Sequence, residues 1–393
     1  MNLSEPQAGA GFFWSKGFRP FFLVAAAFAC VSMAVWMAAL FFGLALDTGS
    51  VSYFQWHAHE LLFGYASAVI SGFLLTAVTN WTGRDTLSGY GLMVLVAAWL
   101  VARVGWLVGG YGVWVGGVTD GLFWLLLIVA VARPVIATKQ WRQLGVLAKL
   151  LLMFSAHVFF FLDAIGLAEG AAYPAIYIGL FSLIGLILMM LRRIFPFFVK
   201  AASGGQVELP NPSWVDKASL VTFTLFLVVF VLAVDSPLMP FSAAALGLVL
   251  LVRLLNWYHP FIWQAPLLWS LYLSLAYIVL GCWMLAWSYW SIEYRYLAVH
   301  AWSYGGLGLA SIGMLVRVSI GHSGGDVRAK RPWMLMALII FSLGTVLRVF
   351  GPIIAPQSQA VLLLSQVAWI LSFGLCFIHL LPILTQSPQI GSR

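Results

Sequence analysis

Charge is what this sequence lacks most. Lys, Arg, Asp and Glu make up 8% of its residues, against 63% hydrophobic ones, whereas a soluble domain carries about 25% charged residues. So little charge cannot cover a water-facing surface, which excludes a soluble globular protein and implies a chain embedded in a lipid bilayer. Cysteine is scarce as well. Cys30, Cys282 and Cys376 stand singly in apolar segments, so neither a disulfide frame nor a thiolate metal site is expected. There is no Walker loop, no G-x-S-x-G elbow and no C-x-x-C or C-x-x-C-H, which leaves nucleotide hydrolysis, acyl transfer and covalent c-type haem without support. Residues 1 to 17 lack the apolar run and small-residue cleavage site of a removable leader, so the first span is expected to stay in the mature chain.

What is present is a series of long apolar runs. Crossing a bilayer core takes about 20 apolar residues in a helix, and twelve runs meet that length, with cores at 20–42, 60–79, 88–108, 113–132, 144–163, 173–194, 217–234, 240–256, 265–287, 296–316, 332–353 and 359–381. They are too long for strands, and backbone groups in lipid must be satisfied within the segment. The expected fold is all-α, a single polytopic domain of 12 transmembrane helices spanning 1–393. The long sixth connection suggests a six-plus-six division near 200–216, although the halves share no evident motif.

Basic residues set the expected orientation, because cytoplasmic loops retain Lys and Arg. Even-numbered loops hold Arg84, then Arg133, Lys139, Arg142 and Lys149, then Arg192, Arg193, Lys200 and Lys217, then Arg253, and finally Arg317, Arg328, Lys330 and Arg331. Odd-numbered loops carry Arg295 alone, among Asp47, Asp163, Glu169, Asp235 and Glu293. With Lys16 and Arg19 before the first span and Arg393 at the end, both termini are expected in the cytoplasm. Topology thus accounts for the net charge of +8, and no nucleic-acid partner is expected.

In an apolar solvent the rare ionisable side chains carry the information, since each is costly to bury without a partner or a task. On this topology His57, His59, His157 and His300 fall toward the outer face, and His259, His322 and His379 toward the cytoplasmic one. Histidines far apart in sequence therefore converge on one depth, as a metal site between helices requires. The densest feature is Trp56-His57-Ala58-His59-Glu60. If the helix starts after the pair, both imidazoles face one side and chelate one metal. If it starts before, successive residues rotate about 100° and the two serve different centres. Imidazole suits copper, haem iron or zinc, and Glu60 is placed to accept a hydrogen bond from a ligand's other nitrogen. His157 and His379 read as packing or interfacial residues.

His300 has Tyr304 four residues on, with glycines at 305, 306 and 308 leaving room for a close neighbour. Arg103 and Arg348 are basic residues well inside spans, and a buried Arg needs an anion. Asp120 is one candidate and the propionates of a haem are another. Arg317, at a span end, reads as snorkelling to headgroups. No Asp or Glu is read at the middle of a span, which counts against a proton-coupled carrier.

Three segments carry a resemblance: GFRPFFL at 17–23, WHAHELLFGYASAVISGFLLTAVTNWTGR at 56–84 and VHAWSYGGLGLASIGMLVRVSIGHSG at 299–324. They resemble NnrS family proteins, described as polytopic haem- and copper-containing bacterial membrane proteins linked to nitric oxide metabolism and nitrosative stress. Carried over residue by residue, the family's histidines fall on His57, His59, His300 and the His322 of the GHSG turn, with Arg84 and Arg317 also matching. Tyr272 and Phe161 stand where relatives carry His, and RRIFPFFVKAA lacks the usual Thr and Asn.

The resemblance implies an inner-membrane protein binding haem b and copper. Its metal ligands would be His57, His59, His300 and His322, with Arg317 near the cofactors; Glu60, Arg103 and Arg348 join them as cofactor-binding candidates on the reading of the residues given above. Its partner would be nitric oxide, with quinol or a periplasmic redox protein as electron donor if the gas is reduced by an oxidoreductase. The rival expectations are a solute or metal-ion transporter and an assembly subunit whose histidines only tie helices together.

Overall fold

The computed structural model describes residues 10–356 and 358–386; Arg393 and both chain ends lie outside them. The chain is 82% helical, with no strand among the described residues. It is a multi-pass membrane protein whose twelve long apolar helices are α1 Phe18–Phe42, α2 Tyr53–Thr82, α3 Gly89–Val108, α4 Tyr111–Ala137, α5 Trp141–Ala164, α6 Ala172–Ala202, α7 Ser213–Ala233, α8 Leu238–Asn256, α9 Pro266–Trp287, α10 Glu293–His322, α11 Pro332–Ile354 and α12 Gln359–Thr385. Every span core read from the sequence falls on one of these helices to within a residue or two. Helices this apolar cannot be placed by amphipathicity, since both faces are greasy. Burial separates them instead: 83% of α2 and 89% of α10 are buried along their most apolar stretches, against 17% of α7.

The chain forms two compact units. Among the described residues, the first comprises residues 10–182, 315–327 and 373–386, the second residues 183–314, 328–356 and 358–372.

In the first unit, α2 passes between α1 and the α3–α4 pair. Its first helical stretch, Tyr53–His59, gives way to a π-helical one, Glu60–Ala66, before α-geometry resumes. A π-helical turn holds one more residue than an α-turn and marks functional sites more often than chance. Gly64 O in this stretch accepts from Ser67 N–H and, at 2.8 Å, from Ser67 Oγ, and Trp99 Nε1 on α3 donates to the same oxygen at 3.0 Å. A side chain at Gly64 would strike Phe28 of α1 at 2.6 Å and Arg103 of α3 at 2.8 Å, so glycine there permits the close approach of three helices.

In the second unit, α10 repeats the device. The stretch Glu293–His300 is α-helical and Ala301–Gly308 is π-helical, and Ser274 Oγ on α9 donates to Gly306 O at 2.6 Å. Tyr272, read from the sequence as standing in a ligand position, donates its hydroxyl to Leu254 O at 3.2 Å within the apolar core of this unit.

Candidate metal centre

Helix α2 starts before the two histidines, and its start is written locally. Ser52 has extended backbone geometry and its side chain accepts from Gln55 N, while Gln55 Oε1 accepts from Ser52 N at 2.7 Å. That reciprocal pair is a capping box, and it settles the geometry that the histidine spacing left open. His57 and His59 diverge on a helix. His57 stacks on Trp36 of α1, ring centroids 4.4 Å apart and 17° from parallel. His59 turns inward, fully buried among Trp106, Phe160 and Phe63, with centroids at 4.4, 4.3 and 5.0 Å.

Four more buried residues meet His59: Glu60, Arg103 of α3, Asp120 of α4 and His157 of α5. Their proton inventory can be worked out from the partners. Glu60 Oε1 accepts from Arg103 Nη1 at 2.7 Å and lies 2.8 Å from His59 Nδ1. As an acceptor it requires a proton on that nitrogen, leaving Nε2 of His59 with its lone pair. Likewise Gly117 O, 2.9 Å from His157 Nε2, can only accept, so Nδ1 of His157 keeps its lone pair. The two lone-pair nitrogens face each other at 3.5 Å. Oδ2 of Asp120 lies 3.8 Å from each.

A proton between those nitrogens would sit in a hydrogen bond stretched beyond the usual range of about 2.7–3.2 Å. A metal ion satisfies all three donors at once. A triangle with edges of 3.5, 3.8 and 3.8 Å has its centre about 2.1 Å from each corner, the length of a metal bond to imidazole nitrogen or carboxylate oxygen. Two further observations fit an ion. Glu60 and Asp120 bring two negative charges and Arg103, which pairs with both, only one positive charge, so the buried cluster carries a net negative charge that a cation would offset. The second Asp120 oxygen, Oδ1, is buried without a hydrogen-bond partner. Glu60 and Gly117 O orient the imidazoles from behind, the outer-layer contacts that metal-binding histidines usually have.

The helices bring these groups to one level. At about 1.5 Å per residue, His59 and Asp120 lie seven and ten residues into α2 and α4, and Arg103 and His157 lie five and seven residues before the ends of α3 and α5. All are thus roughly 8–14 Å from the helix ends joined by the loops at 43–52, 109–110 and 165–171. Asp120, the tenth of the 27 residues of α4, is fully buried; its ion pair with Arg103 and the two histidines beside it make the burial tolerable.

His157 is the residue that sequence reasoning set aside as packing or interfacial. The signal that could have found it was its depth, shared with His59. The other candidates lie apart from this cluster. His300 and Arg348 pair within the second unit. His322, the last residue of α10, is exposed, with its ring 5.7 Å from that of Phe18. Arg317 is partly buried one turn and a half before the end of α10. His379 Nδ1 lies 2.9 Å from Leu375 O, one turn back on α12.

No curated protein matches the chain. A family model described as NnrS protein matches residues 12–387, nearly its whole length. That match takes in all twelve helices, the WHAHE start of α2 and the helices that carry Arg103, Asp120 and His157, and the chain belongs to the NnrS protein family.

Proposed function

We propose that the protein is a copper-binding protein of the bacterial inner membrane that handles nitric oxide, with its metal held by His59, His157 and Asp120 toward the periplasmic side. One observation carries the reading: two buried imidazole lone pairs and a carboxylate oxygen point at a common centre in a cluster one positive charge short of neutral. The orientation rests on the basic residues of the even-numbered loops. The family resemblance supplies nitric oxide as the ligand, and the chemistry of the site suits it. Nitric oxide is small and enters lipid readily, so no polar channel is needed, and the Trp106, Phe160 and Phe63 rings wall the cluster against water. Bound there with three protein ligands, copper would supply an open coordination position for the gas.

Haem b, which the resemblance also implies, does not fit this cluster. Asp120 stands 3.8 Å from both nitrogens, leaving no gap between them for a flat macrocycle. His300 has both nitrogens engaged, by Tyr296 O and by Arg348, and would have to release Arg348 to ligate iron.

The test is metal content. Protein expressed with copper and haem available and purified without chelators should hold about one copper per chain, and His157→Ala should lose it while His322→Ala keeps it. Copper retained by the His157 variant would sink the assignment. A metal-ion transporter is the second reading, favoured by one observation, the ionisable Asp120 deep inside α4. Proteoliposomes separate the two: a transporter moves labelled copper across the bilayer, whereas a cofactor protein holds it without flux.

A further inference from the structure

The second unit carries the same device as the first with its charge reversed. Aligned on their histidines, His59 and His300, the two segments each turn π-helical at the next residue, place an aromatic four residues on (Phe63, Tyr304) and a glycine five residues on (Gly64, Gly305), and place another glycine thirteen residues on (Gly72, Gly313). The packing corresponds as well. Gly64 and Gly72 abut Phe28 and Phe22 of α1, and Gly305 and Gly313 abut Tyr277 and Ser270 of α9. In each unit the helix that follows brings an arginine back to the histidine's neighbourhood: Arg103 to Glu60, Arg348 to His300.

The difference is in the acids. Ala301 stands where the first unit has Glu60, and nothing in the second unit replaces Asp120. That unit holds four carboxylates, and all are engaged elsewhere: Glu208 with Lys200, Asp216 with Arg192 and Arg253, Asp235 with Arg295, and Glu293 with Ser291. Arg348, six residues inside the end of α11, meets an imidazole instead. His300 Nδ1 lies 2.8 Å from Tyr296 O and so carries the proton, and Nε2 accepts from Arg348 Nη2 at 2.8 Å. This histidine is neutral and contributes nothing to offset the guanidinium. Arg348 is only partly buried as a residue, and the bond to His300 engages one of its guanidinium nitrogens, Nη2. On the neighbouring α12, Ser365 O accepts the Tyr304 hydroxyl at 2.7 Å, and both polar atoms of the adjacent buried Gln366 have no hydrogen-bond partner.

We propose that Arg348, held in place by His300, is a binding site for a monovalent oxyanion. A cation inside a membrane span calls for an anion, and the flat guanidinium fork matches two oxygens of one group. The anion has two possible sources with the same chemistry, a small free oxyanion or the phosphodiester of an acidic lipid.

The experiment uses the full chain in nanodiscs of zwitterionic phosphatidylcholine, titrated with sodium formate at constant ionic strength balanced by sodium chloride, and read by calorimetry. Saturable formate binding is expected. Arg348→Gln should weaken it at least tenfold and Arg348→Lys, which keeps charge but not the fork, by less. Ala301→Glu, which supplies an internal carboxylate, should abolish it while leaving the helical content unchanged. Repeating the titration in phosphatidylglycerol nanodiscs assigns the source. Formate binding weakened there, with a lipid adduct in native mass spectra that Arg348→Gln removes, identifies the lipid; binding unchanged there identifies the free anion. The proposal is overturned if wild-type protein shows no saturable formate binding and no Arg348-dependent lipid adduct, or if Arg348→Gln and Ala301→Glu bind formate as the wild type does.

Discussion

The π-helical segments of α2 and α10 follow a histidine in the same way and pack on a neighbouring helix through glycines in the same register, yet they surround opposite charges. Around His59 two carboxylates outnumber one guanidinium, while around His300 one guanidinium stands with no carboxylate. The scaffold fixes where a histidine and an arginine meet, and a single neighbouring position, Glu60 against Ala301, helps decide whether the meeting place favours a cation or an anion. Geometry and charge are thus separable here, and each can be altered without the other.

The largest expected difference is in stability. Arg103→Ala leaves Glu60 and Asp120 buried without their cation, and breaking a buried pair in this way costs about 3–5 kcal/mol. Arg348→Ala removes one charge-assisted hydrogen bond to a neutral imidazole, a smaller loss of about 1.5–3 kcal/mol. Denaturant unfolding in detergent would measure both; equal losses would end the contrast between the units. Copper should partly rescue the Arg103 variant, because the added cation offsets the unpaired carboxylates.

Next comes metal affinity. Glu60→Gln keeps an acceptor for the His59 Nδ1 proton and removes the charge behind it. Outer-layer partners of metal-binding histidines typically matter 10–100-fold, so copper affinity should fall by about that factor in a competition titration, with the ion still bound at saturation. Asp120→Asn replaces a carboxylate aimed at the ion itself by a neutral amide, and affinity should fall further. If Glu60→Gln left the affinity unchanged, the hydrogen bond to His59 would have no bearing on a metal.

The helices themselves were legible in the sequence, because their lengths and lack of charge admit one structure in lipid. The cluster was legible only in part. His59, Glu60 and Arg103 stand out as polar residues in apolar runs, and Asp120 was a candidate anion for Arg103. What hydropathy cannot show is which way each side chain faces. A soluble helix reveals its buried face by the period of its apolar residues, but helices that are apolar all round carry no such period, so the meeting of His59 with His157, 98 residues away, left no trace beyond a shared depth. The helix start was written plainly in Ser52 and Gln55, and it decides that His57 and His59 diverge.

That start supports the smallest prediction and the last contrast between the units. Ser52 has extended backbone angles, φ −72° and ψ 160°, and its side chain caps α2. Ile292, at the corresponding end of α10, has helical angles, φ −61° and ψ −27°, and no side-chain cap. A capping side chain needs the extended geometry to reach back to the first free N–H groups. Ser52→Ala should therefore cost about 1 kcal/mol, while Ile292→Ser gains nothing, because the backbone there aims its side chain away from the helix end. Copper affinity in Ser52→Ala should change little, since His59 lies about two turns further in and is held by Glu60 rather than by the cap. A loss of copper as large as that in Glu60→Gln would mean that the entry turn, and not the carboxylate behind the imidazole, positions His59.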